Sequence, residues 1–301
     1  MTPTTRTAQG STGLVVVDKE AGWTSHDVVA RCRRLFGQRR VGHAGTLDPD
    51  ATGVLLVGLG RFTRMLRFVQ GLRKTYMGEV VLGTSTSTLD ASGEVTGTWD
   101  MSAVTLRHAR EAAVGLTGRI QQLPPMVSAV KVAGTRLHTL ARQGVEVERA
   151  PRWVTVDRLE LFCVRGEPGV FRIEVECSTG TYVRSLASDL GRALGGGAHL
   201  RNLRRLAVGS FGVAEAHRLE ELAPEHVLTA AQGLRDLYRL EIGSEAARRV
   251  RHGLPLDRAA LGADDIAGDG PYAVVDRAGR LLAVYESGGP ERIVAACVLS
   301  S

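Results

Sequence analysis

The chain has 301 residues, of which 44% are hydrophobic, and its formal net charge is +6. This length allows a substantial core in one large domain or two unequal ones, and the basic charge indicates either an acidic partner such as nucleic acid or a solvated basic surface. The polar start predicts no signal peptide, and no stretch approaches the roughly 18 apolar residues of a membrane span, so we expect a cytoplasmic protein.

The four cysteines lie far apart and form no CxxC pair. This usage predicts small buried apolar side chains in a reducing compartment, and neither zinc ligands nor a disulfide framework. The positions are Cys32, Cys163, Cys177 and Cys297.

Strand and helix patterns alternate in the first part of the chain. GLVVVDK predicts a strand that ends near Lys19, and SHDVVARCRRLF predicts a helix behind a cap at Thr24 or Ser25. TGVLLVGLG predicts a strand buried on both faces, and KTYMGEVVLG predicts a further strand. RFTRMLRFVQ has a helical pattern whose arginine row is either a solvated face or a phosphate-facing one. TSTSTLDASGEV predicts an irregular loop, and TLRHAREAAVGLTG predicts a helix.

Paired prolines and glycines bracket residues 124–152, which predicts an excursion from the core with a short helix around Leu137 to Arg142. WVTVDRLELFCV and VFRIEVECST alternate as antiparallel strands do. A helix with an apolar inner face then leads to another strand within GGGAHLRNLRRLAVGSF. From about Leu237 onward, short strand patterns, including a hairpin that turns at Arg277–Gly279, predict a small β-rich appendage.

The stretch GHAGTLDPDATGVL places Asp48 and Asp50 before a buried strand. One interpretation is a plain turn whose side chains bind nearby amides. A second is a phosphatase DxDxT motif, although the apolar strand follows the acids here, whereas that chemistry requires it to precede them. A third takes Asp48 alone as a nucleophile beside His43. The residues of this stretch leave all three open.

Six blocks, in order along the chain, resemble the bacterial tRNA pseudouridine-55 synthases of the TruB family. The resemblance runs from about Gly13 to Phe211 and is weaker over the last 60 or so residues. The blocks are GLVVVDKEAGWTSHDVV, RRVGHAGTLDPDATGVLLVGLGRFTR, RKTYMGEVVLG, LPPMVSAVKVAGTRLHTLAR, CSTGTYVRSLASDLG and GGGAHLRNLRRLAVGSF.

The resemblance implies an α+β fold with a mixed, largely antiparallel central sheet flanked by helices. It divides the chain into a flexible leader at residues 1–12, a catalytic domain at 13–238 and a PUA-like RNA-binding domain at 239–301. Within the catalytic domain, residues 124–152 correspond to a thumb-like insertion that closes over the RNA.

Members of this family convert uridine 55 in the T loop of tRNA to pseudouridine. The uracil is detached from the ribose at N1, turned, and rejoined through C5. Because no electrons are gained and no water enters, the resemblance implies no cofactor and no metal. It also implies the T stem-loop of tRNA as partner, no obligate protein partner, no membrane association, and a monomer in the cytoplasm.

The resemblance assigns the catalytic acid to Asp48, which attacks C1′, adds to uracil C6, or assists loss of the C2′ proton; the sequence does not choose among these. Tyr76 corresponds to the tyrosine that stacks on the base and takes the C5 proton. Arg184 corresponds to an arginine that pairs with acids, here Asp48 and Asp90. Asp50 has no catalytic counterpart and is expected only to shape the loop.

The remaining pocket residues also follow from the resemblance. Tyr182 is a second pocket tyrosine, and Leu203 forms a wall against the uracil. His43 stacks in the space that the flipped base leaves. Lys19 and Lys74, which lie in shared motifs, are expected to contact the substrate, and either a compact ammonium is required at these positions or the lysines survive by chance in an arginine-rich chain.

A positively charged track is expected to follow the RNA backbone. Its predicted members are Lys131, Arg136, Arg142, Arg61, Arg64, Arg204 and Arg205, together with the neighbouring Arg67 and Arg201. Two rival hypotheses come from other classes: an RNA-binding protein that keeps the fold without turnover, and a magnesium-dependent phosphatase.

Overall fold

The computed structural model describes residues 11–128, 131–132, 135–136, 145, 147–258 and 270–299. The strands in these ranges are β1 (Gly13–Lys19), β2 (Val41–Ala44), β3 (Thr52–Leu59), β4 (Lys74–Leu82), β5 (Thr84–Thr86), β6 (Val95–Thr98), β7 (Gly118–Gln122), β8 (Lys131–Val132), β9 (Thr135–Arg136), β10 (Arg152–Cys163), β11 (Val170–Cys177), β12 (Ala198–Val208), β13 (Phe211–Gly212), β14 (Tyr238–Ile242), β15 (Leu256–Asp257), β16 (Tyr272–Asp276), β17 (Leu281–Ser287) and β18 (Arg292–Val298). The helices are α1 (Ser25–Leu35), α2 (Leu66–Gln70), α3 (Leu106–Val114), α4 (Val183–Ala193) and α5 (Ser244–Arg251).

Two compact units are formed. The described residues up to Pro49, Gly53–Gly71 and those from Val208 onward make the first, and Asp50–Thr52 with the described part of Leu72–Ala207 makes the second. These borders differ from the expected division at residue 238, which stays a prediction. Among the described helices, none is both long and apolar enough to cross a membrane.

Strand β3 has a neighbour on each side within the first unit. It pairs antiparallel with β1, from Gly13 opposite Leu59 to Lys19 opposite Gly53, and antiparallel with β2. Every residue from Gly53 to the end of the strand is buried. A strand enclosed in this way has an unbroken apolar sequence rather than an alternating one, and the prediction for TGVLLVGLG is confirmed.

The C-terminal part of the first unit contains a five-stranded sheet in the order β14-β16-β17-β18-β15. Strands β14 and β16 run parallel, and the other pairs run antiparallel. The sheet has its own apolar core, which includes Leu240, Val250, Tyr272, Tyr285 and Ile293. The predicted β-rich appendage and its hairpin are confirmed. Its first strand begins at Tyr238, next to the expected domain border.

In the second unit, β12, β4, β11, β10 and β7 lie side by side in that order. β4 with β11, β11 with β10, and β10 with β7 are antiparallel. Helix α3 packs against β10 and α4, and α4 also contacts β4. The expected α+β class with a largely antiparallel sheet is confirmed.

One predicted loop is wrong. TSTSTLDASGEV contains β5 and part of β6, which form a small antiparallel hairpin. Both strands are rich in polar residues and β6 is mostly exposed, so the segment lacks the hydrophobic alternation by which strands are recognised. RFTRMLRFVQ forms a 3-10 turn at Gly60–Arg64 and then the five-residue α2. The helix predicted around Leu137 to Arg142 lies outside the described residues.

Helix α1 begins with a capping box, as the Thr24/Ser25 pattern predicts. Thr24 Oγ1 accepts from the Asp27 N–H at 3.1 Å, and Asp27 Oδ2 accepts from the Thr24 N–H at 2.9 Å. The Thr24 hydroxyl also donates to Asp27 Oδ2 at 2.6 Å, and this bond, followed by the one from the Thr24 N–H, lowers the pKa of Asp27. The reciprocal pair satisfies N–H groups that a helix start otherwise leaves without partners.

We predict that Thr24→Ala lowers the free energy of unfolding by about 1 kcal/mol, since the cap is lost. Thr24→Ser, which keeps the hydroxyl, should retain most of this stability. Urea unfolding followed by circular dichroism measures both. Equal stability of the two variants would contradict the cap's contribution.

Candidate active site

The loop that carries Asp48 lies between β2 and β3 and is fixed on both sides of this residue. The Leu47 N–H donates to Ser25 Oγ at 2.9 Å, and Ser25 Oγ donates to Leu47 O at 3.2 Å. The Pro49 carbonyl accepts from Lys19 Nζ at 2.8 Å. Asp48 is half-buried between these two anchored neighbours. The loop is therefore held as a defined structure rather than as a free surface turn.

Lys19 lies at the end of β1, and its side chain is completely buried. Its Nζ donates to the carbonyl oxygens of Glu20, Trp23 and Pro49 at 2.9, 2.7 and 2.8 Å. An ammonium group has three donors, whereas a guanidinium is a planar fork, so this arrangement of acceptors suits lysine. The expected substrate contact does not match this burial. The lysine instead supports the Asp48 loop.

His43 lies on β2 opposite Val57 and is half-buried. Its ring makes an edge contact with the exposed His26, with ring centroids 5.4 Å apart and an interplanar angle of 81°. Asp50, at the other end of the motif, is exposed. The predicted stacking of His43 in the place of a flipped base stays a prediction.

Tyr76 and Lys74 lie on the same face of β4, opposite Val175 and Cys177 of β11. Tyr76 is 8% exposed and Lys74 is 5% exposed. Lys74 Nζ donates to Leu72 O at 2.8 Å. Burial, and then the neighbouring charge of Arg205, lower the pKa of Lys74 to about 8. The expected contact of Lys74 with the substrate stays a prediction.

Arg184 occupies the first turn of α4 and is 3% exposed. Nη1 lies 3.3 Å from Asp90 Oδ2 and donates to Thr88 O at 3.0 Å. Nη2 donates to Val127 O at 2.8 Å. The expected pairing of Arg184 with Asp90 is present. A buried guanidinium requires such partners, because an unpaired buried charge is strongly unfavourable.

Asp90 is itself held in place by its own loop. Its Oδ1 accepts from Thr88 Oγ1 at 2.6 Å, from the Ser92 N–H at 3.1 Å and from Ser92 Oγ at 2.6 Å. One carboxylate oxygen is therefore fixed by the loop, while the other faces Arg184.

Tyr182 is the residue that caps the start of α4, and Leu203 lies on β12; both are half-buried. A Cβ atom on Gly78 would lie 3.6 Å from the Leu203 Cα, so β12 passes close to β4 two residues after Tyr76. Tyr182 has a partner that the sequence interpretation missed. The buried Gln122 binds both main-chain polar groups of this residue. No local sequence pattern marks Gln122, because its burial beside the exposed Gln121 is seen only in the structure.

Part of the predicted RNA-backbone track lies in the residues that the structure describes. Arg61 and Arg64 are exposed, and Arg64 Nη1 donates to Val298 O of β18 at 3.1 Å. Arg204 is half-buried. The side chains of Lys131 and Arg136, and the whole of Arg142, lie outside the described residues.

Arg205 is wrongly placed by the sequence interpretation. It is 1% exposed and therefore does not offer its guanidinium to an RNA backbone. Arg201, which precedes it on β12, pairs with Glu79 and Glu167, each at 2.6 Å.

The cysteines match the expectation at three positions. Cys32, Cys177 and Cys297 are buried, and all four thiols are free, but Cys163 is exposed. Cys163 is the last residue of β10, where the strand leaves the sheet for a turn. Burial raises the pKa of Cys32 and of Cys177 to about 11, so these thiols stay protonated near neutral pH. Within the described ranges, no group of three His, Cys, Asp or Glu residues is placed to hold a metal ion.

Chains in two solved complexes share the fold of this protein. A chain in the crystal structure of a Cbf5-Nop10-Gar1 complex superposes with a TM-score of 0.72 at 24% identity, over 95% of this chain and 83% of that one. A chain in the structure of an H/ACA RNP bound to a substrate RNA containing 2′-deoxyuridine also gives a TM-score of 0.72, at 22% identity, over 96% of this chain and 85% of that one. At this identity the likeness concerns the fold alone.

Family comparisons are more specific. Residues 33–183 match the TruB family pseudouridylate synthase (N terminal domain). Residues 184–243 match the tRNA pseudouridylate synthase B C-terminal domain, and residues 237–292 match tRNA Pseudouridine synthase II, C terminal. The chain therefore belongs to the TruB family of pseudouridylate synthases.

Two bacterial relatives are similar over nearly their whole length. A tRNA pseudouridine synthase B of Mycobacterium sp. (strain KMS) is 45% identical over 293 residues, which cover 95% of this chain and 96% of that protein. One of Arthrobacter sp. (strain FB24) is 46% identical over 285 residues, covering 92% and 93%.

The lowered pKa of Lys74 gives a prediction about stability. Between pH 8 and its ordinary value of 10.5, the unfolded chain holds a proton at Lys74 that the folded protein has released. Stability should therefore rise with pH across this window, and the gain is lost as pH falls through 8.

Carbon NMR of labelled lysine Cε atoms measures the pKa of Lys74 directly. The chain has only three lysines, so their resonances can be assigned by substitution. One resonance should titrate near pH 8 and disappear in Lys74→Arg. Lys74→Met should remove its part of the pH-dependent gain in urea unfolding. Titration of all three lysines above pH 10 would contradict this account.

Proposed function

We propose that the protein converts uridine 55 in the T loop of tRNA to pseudouridine. The support is its membership of the TruB family, together with relatives of about the same length that are named tRNA pseudouridine synthase B. The observation that carries the proposal within the chain is the Asp48 loop. Both neighbours of this carboxylate are anchored, which a covalent catalyst requires and a plain turn does not.

The reaction breaks the bond between N1 of uracil and C1′ of the ribose and forms a bond from C5 to C1′. The C5 proton leaves and N1 gains one, so no oxidant, reductant or water is consumed. In this proposal Asp48, in its ionised form, attacks C1′, adds to C6, or assists removal of the C2′ proton. Each of these steps needs a carboxylate lone pair held at a fixed position.

We assign the other pocket roles on the same basis. Tyr76 stacks on the uracil and takes the C5 proton, Tyr182 and Leu203 contact the base, and Arg184 pairs with the acids and orients them. The uracil has to leave its stacked position to reach these groups, at a cost of roughly a few kcal/mol. His43 fills the place that it leaves.

The proposed partner is the T stem-loop of tRNA, and the proposed active form is a cytoplasmic monomer without an obligate protein partner. Residues 13–238 act as the catalytic domain, with the insertion at 124–152 closing over the RNA, and residues 239–301 act as the PUA-like domain. Arg61, Arg64 and Arg204, together with Lys131, Arg136 and Arg142 of the insertion, are the proposed contacts to the phosphates.

The assay uses tRNA that carries tritium at C5 of its uridines, because closure of the C5–C1′ bond releases this label to water. Asp48→Asn should lower the rate by more than about 10³-fold, since a carboxamide has no anionic lone pair to donate. Binding of tRNA should remain nearly unchanged.

Asp50→Asn is the matched control, because it makes the same chemical change at the exposed acid of the same loop. It should release tritium at close to the wild-type rate. Tritium release by Asp48→Asn would refute the assignment of the nucleophile. Wild-type protein that binds tRNA without any release would favour the non-catalytic RNA-binding alternative.

A further inference from the structure

Strand β7 ends at Gln122, whose side chain is 2% exposed. Its Oε1 accepts from the Tyr182 N–H at 2.7 Å, and its Nε2 donates to Tyr182 O at 3.0 Å. One carboxamide thus binds both polar groups of a residue 60 positions away in the chain. Because the acceptor and a donor are both engaged, the amide has one orientation.

Tyr182 is the cap residue of α4, and no side chain caps the helix there. Its carbonyl also accepts the first intrahelical bond, from the Leu186 N–H at 3.1 Å. The Gln122 amide therefore fixes the two peptide groups from which the helix starts. Those peptides determine how the Cα–Cβ bond of Tyr182 leaves the backbone, and where the first turn places Arg184.

The same stretch of chain is tied to this helix turn twice more. Ser185 Oγ donates to Leu123 O at 3.1 Å, and Arg184 Nη2 donates to Val127 O at 2.8 Å. The segment from Gln122 to Val127 contains the end of β7 and the first residues of the insertion at 124–152. The start of that insertion and the helix turn that carries Tyr182 and Arg184 therefore form one hydrogen-bonded structure.

We propose that Gln122 is a positioning residue for the isomerisation, which holds Tyr182 and the first turn of α4 in place against the flipped uracil. This inference rests on the proposed function. Gln122 touches neither base nor ribose; it acts through the main chain of Tyr182. Only a side chain that both accepts and donates at this point satisfies both groups.

The test compares Gln122→Met and Gln122→Glu with Gln121→Met and Gln121→Glu in the full-length protein. Gln121 is exposed on the opposite face of β7, so it provides the same substitutions outside the buried interface. Tritium release is measured in single turnovers with enzyme in excess, over a range of enzyme concentrations. This design separates tRNA binding from the chemical step.

Gln122→Met should lower the single-turnover rate at saturating enzyme by between about tenfold and 100-fold, since small misplacements of a site carry costs of this size. The Kd for tRNA should stay within about twofold, and both Gln121 variants should match the wild type. A Gln122→Met protein that is folded and retains the wild-type rate would overturn the inference. Recovery of that rate at a lower temperature would do the same, because it would reduce the effect to stability alone.

The Gln122→Glu variant should show a pH dependence of the rate that a purely structural role would not produce. An ionised carboxylate accepts from the Tyr182 N–H but repels Tyr182 O, whereas a protonated carboxyl group both accepts and donates. The rate relative to wild type should therefore rise as pH falls, since burial raises the pKa of a carboxyl group. A ratio that is constant with pH would overturn the inference.

The same assay distinguishes failure of the proposed function from failure of the proposed role of Gln122. If the wild type and the Gln121 variants release no tritium from tRNA, the proposed function fails and this inference fails with it. If they release tritium and the Gln122 variants do so equally well, only the role of Gln122 is refuted.

Discussion

The completely buried ammonium of Lys19, bound by three backbone carbonyls, is the interaction on which the Asp48 loop depends. It joins the end of β1, the turn before α1 and the residue after Asp48. Without it, the Glu20 and Trp23 carbonyls would lose a donor in a partly buried setting, at about 1–3 kcal/mol for each unsatisfied group, whereas the Pro49 carbonyl would keep the Gly22 N–H at 3.0 Å. The position of Asp48 is thus determined by a charge that need not contact the substrate.

A similar principle operates in the second unit, where Arg184 donates to the carbonyls of Thr88 and Val127 as well as pairing with Asp90. The carboxylate balances the charge of the guanidinium, and the two carbonyls orient it. One buried cation therefore joins the loop of Thr88 and Asp90, the backbone at Val127 and the first turn of α4.

Much of the fold follows from hydrophobic periodicity. The enclosed strand β3, the α1 cap and the C-terminal hairpin all lie where the sequence predicts them. The burial of Arg205 is an example of a feature that hydrophobic periodicity does not predict. Asn202 has a positive φ of 53°, and the alternation that buries Ala198 and Leu200 of β12 does not continue after it, where Arg205 and Val208 are the buried residues. An interruption of this kind changes which positions of a strand are buried, and alternation alone cannot predict it.

The site shows a corresponding limit. The family resemblance names residues that carry chemistry, but it does not say that Lys19 and Lys74 are buried. It also passes over Gln122, because main-chain hydrogen bonds between residues far apart in sequence leave no local pattern. Side chains that support other side chains become visible only once the strands and helices are placed.

The arginines before β4 carry a consequence for shortened versions of the chain. Arg64 Nη1 donates to Val298 O at 3.1 Å, and Arg67 Nη2 donates to Ala296 O at 2.6 Å, both on the last strand of the C-terminal sheet. A truncation after residue 238 would remove these acceptors along with any RNA contacts. Loss of activity in such a fragment would then mix two causes, and point substitutions on the surface of the C-terminal sheet would separate them.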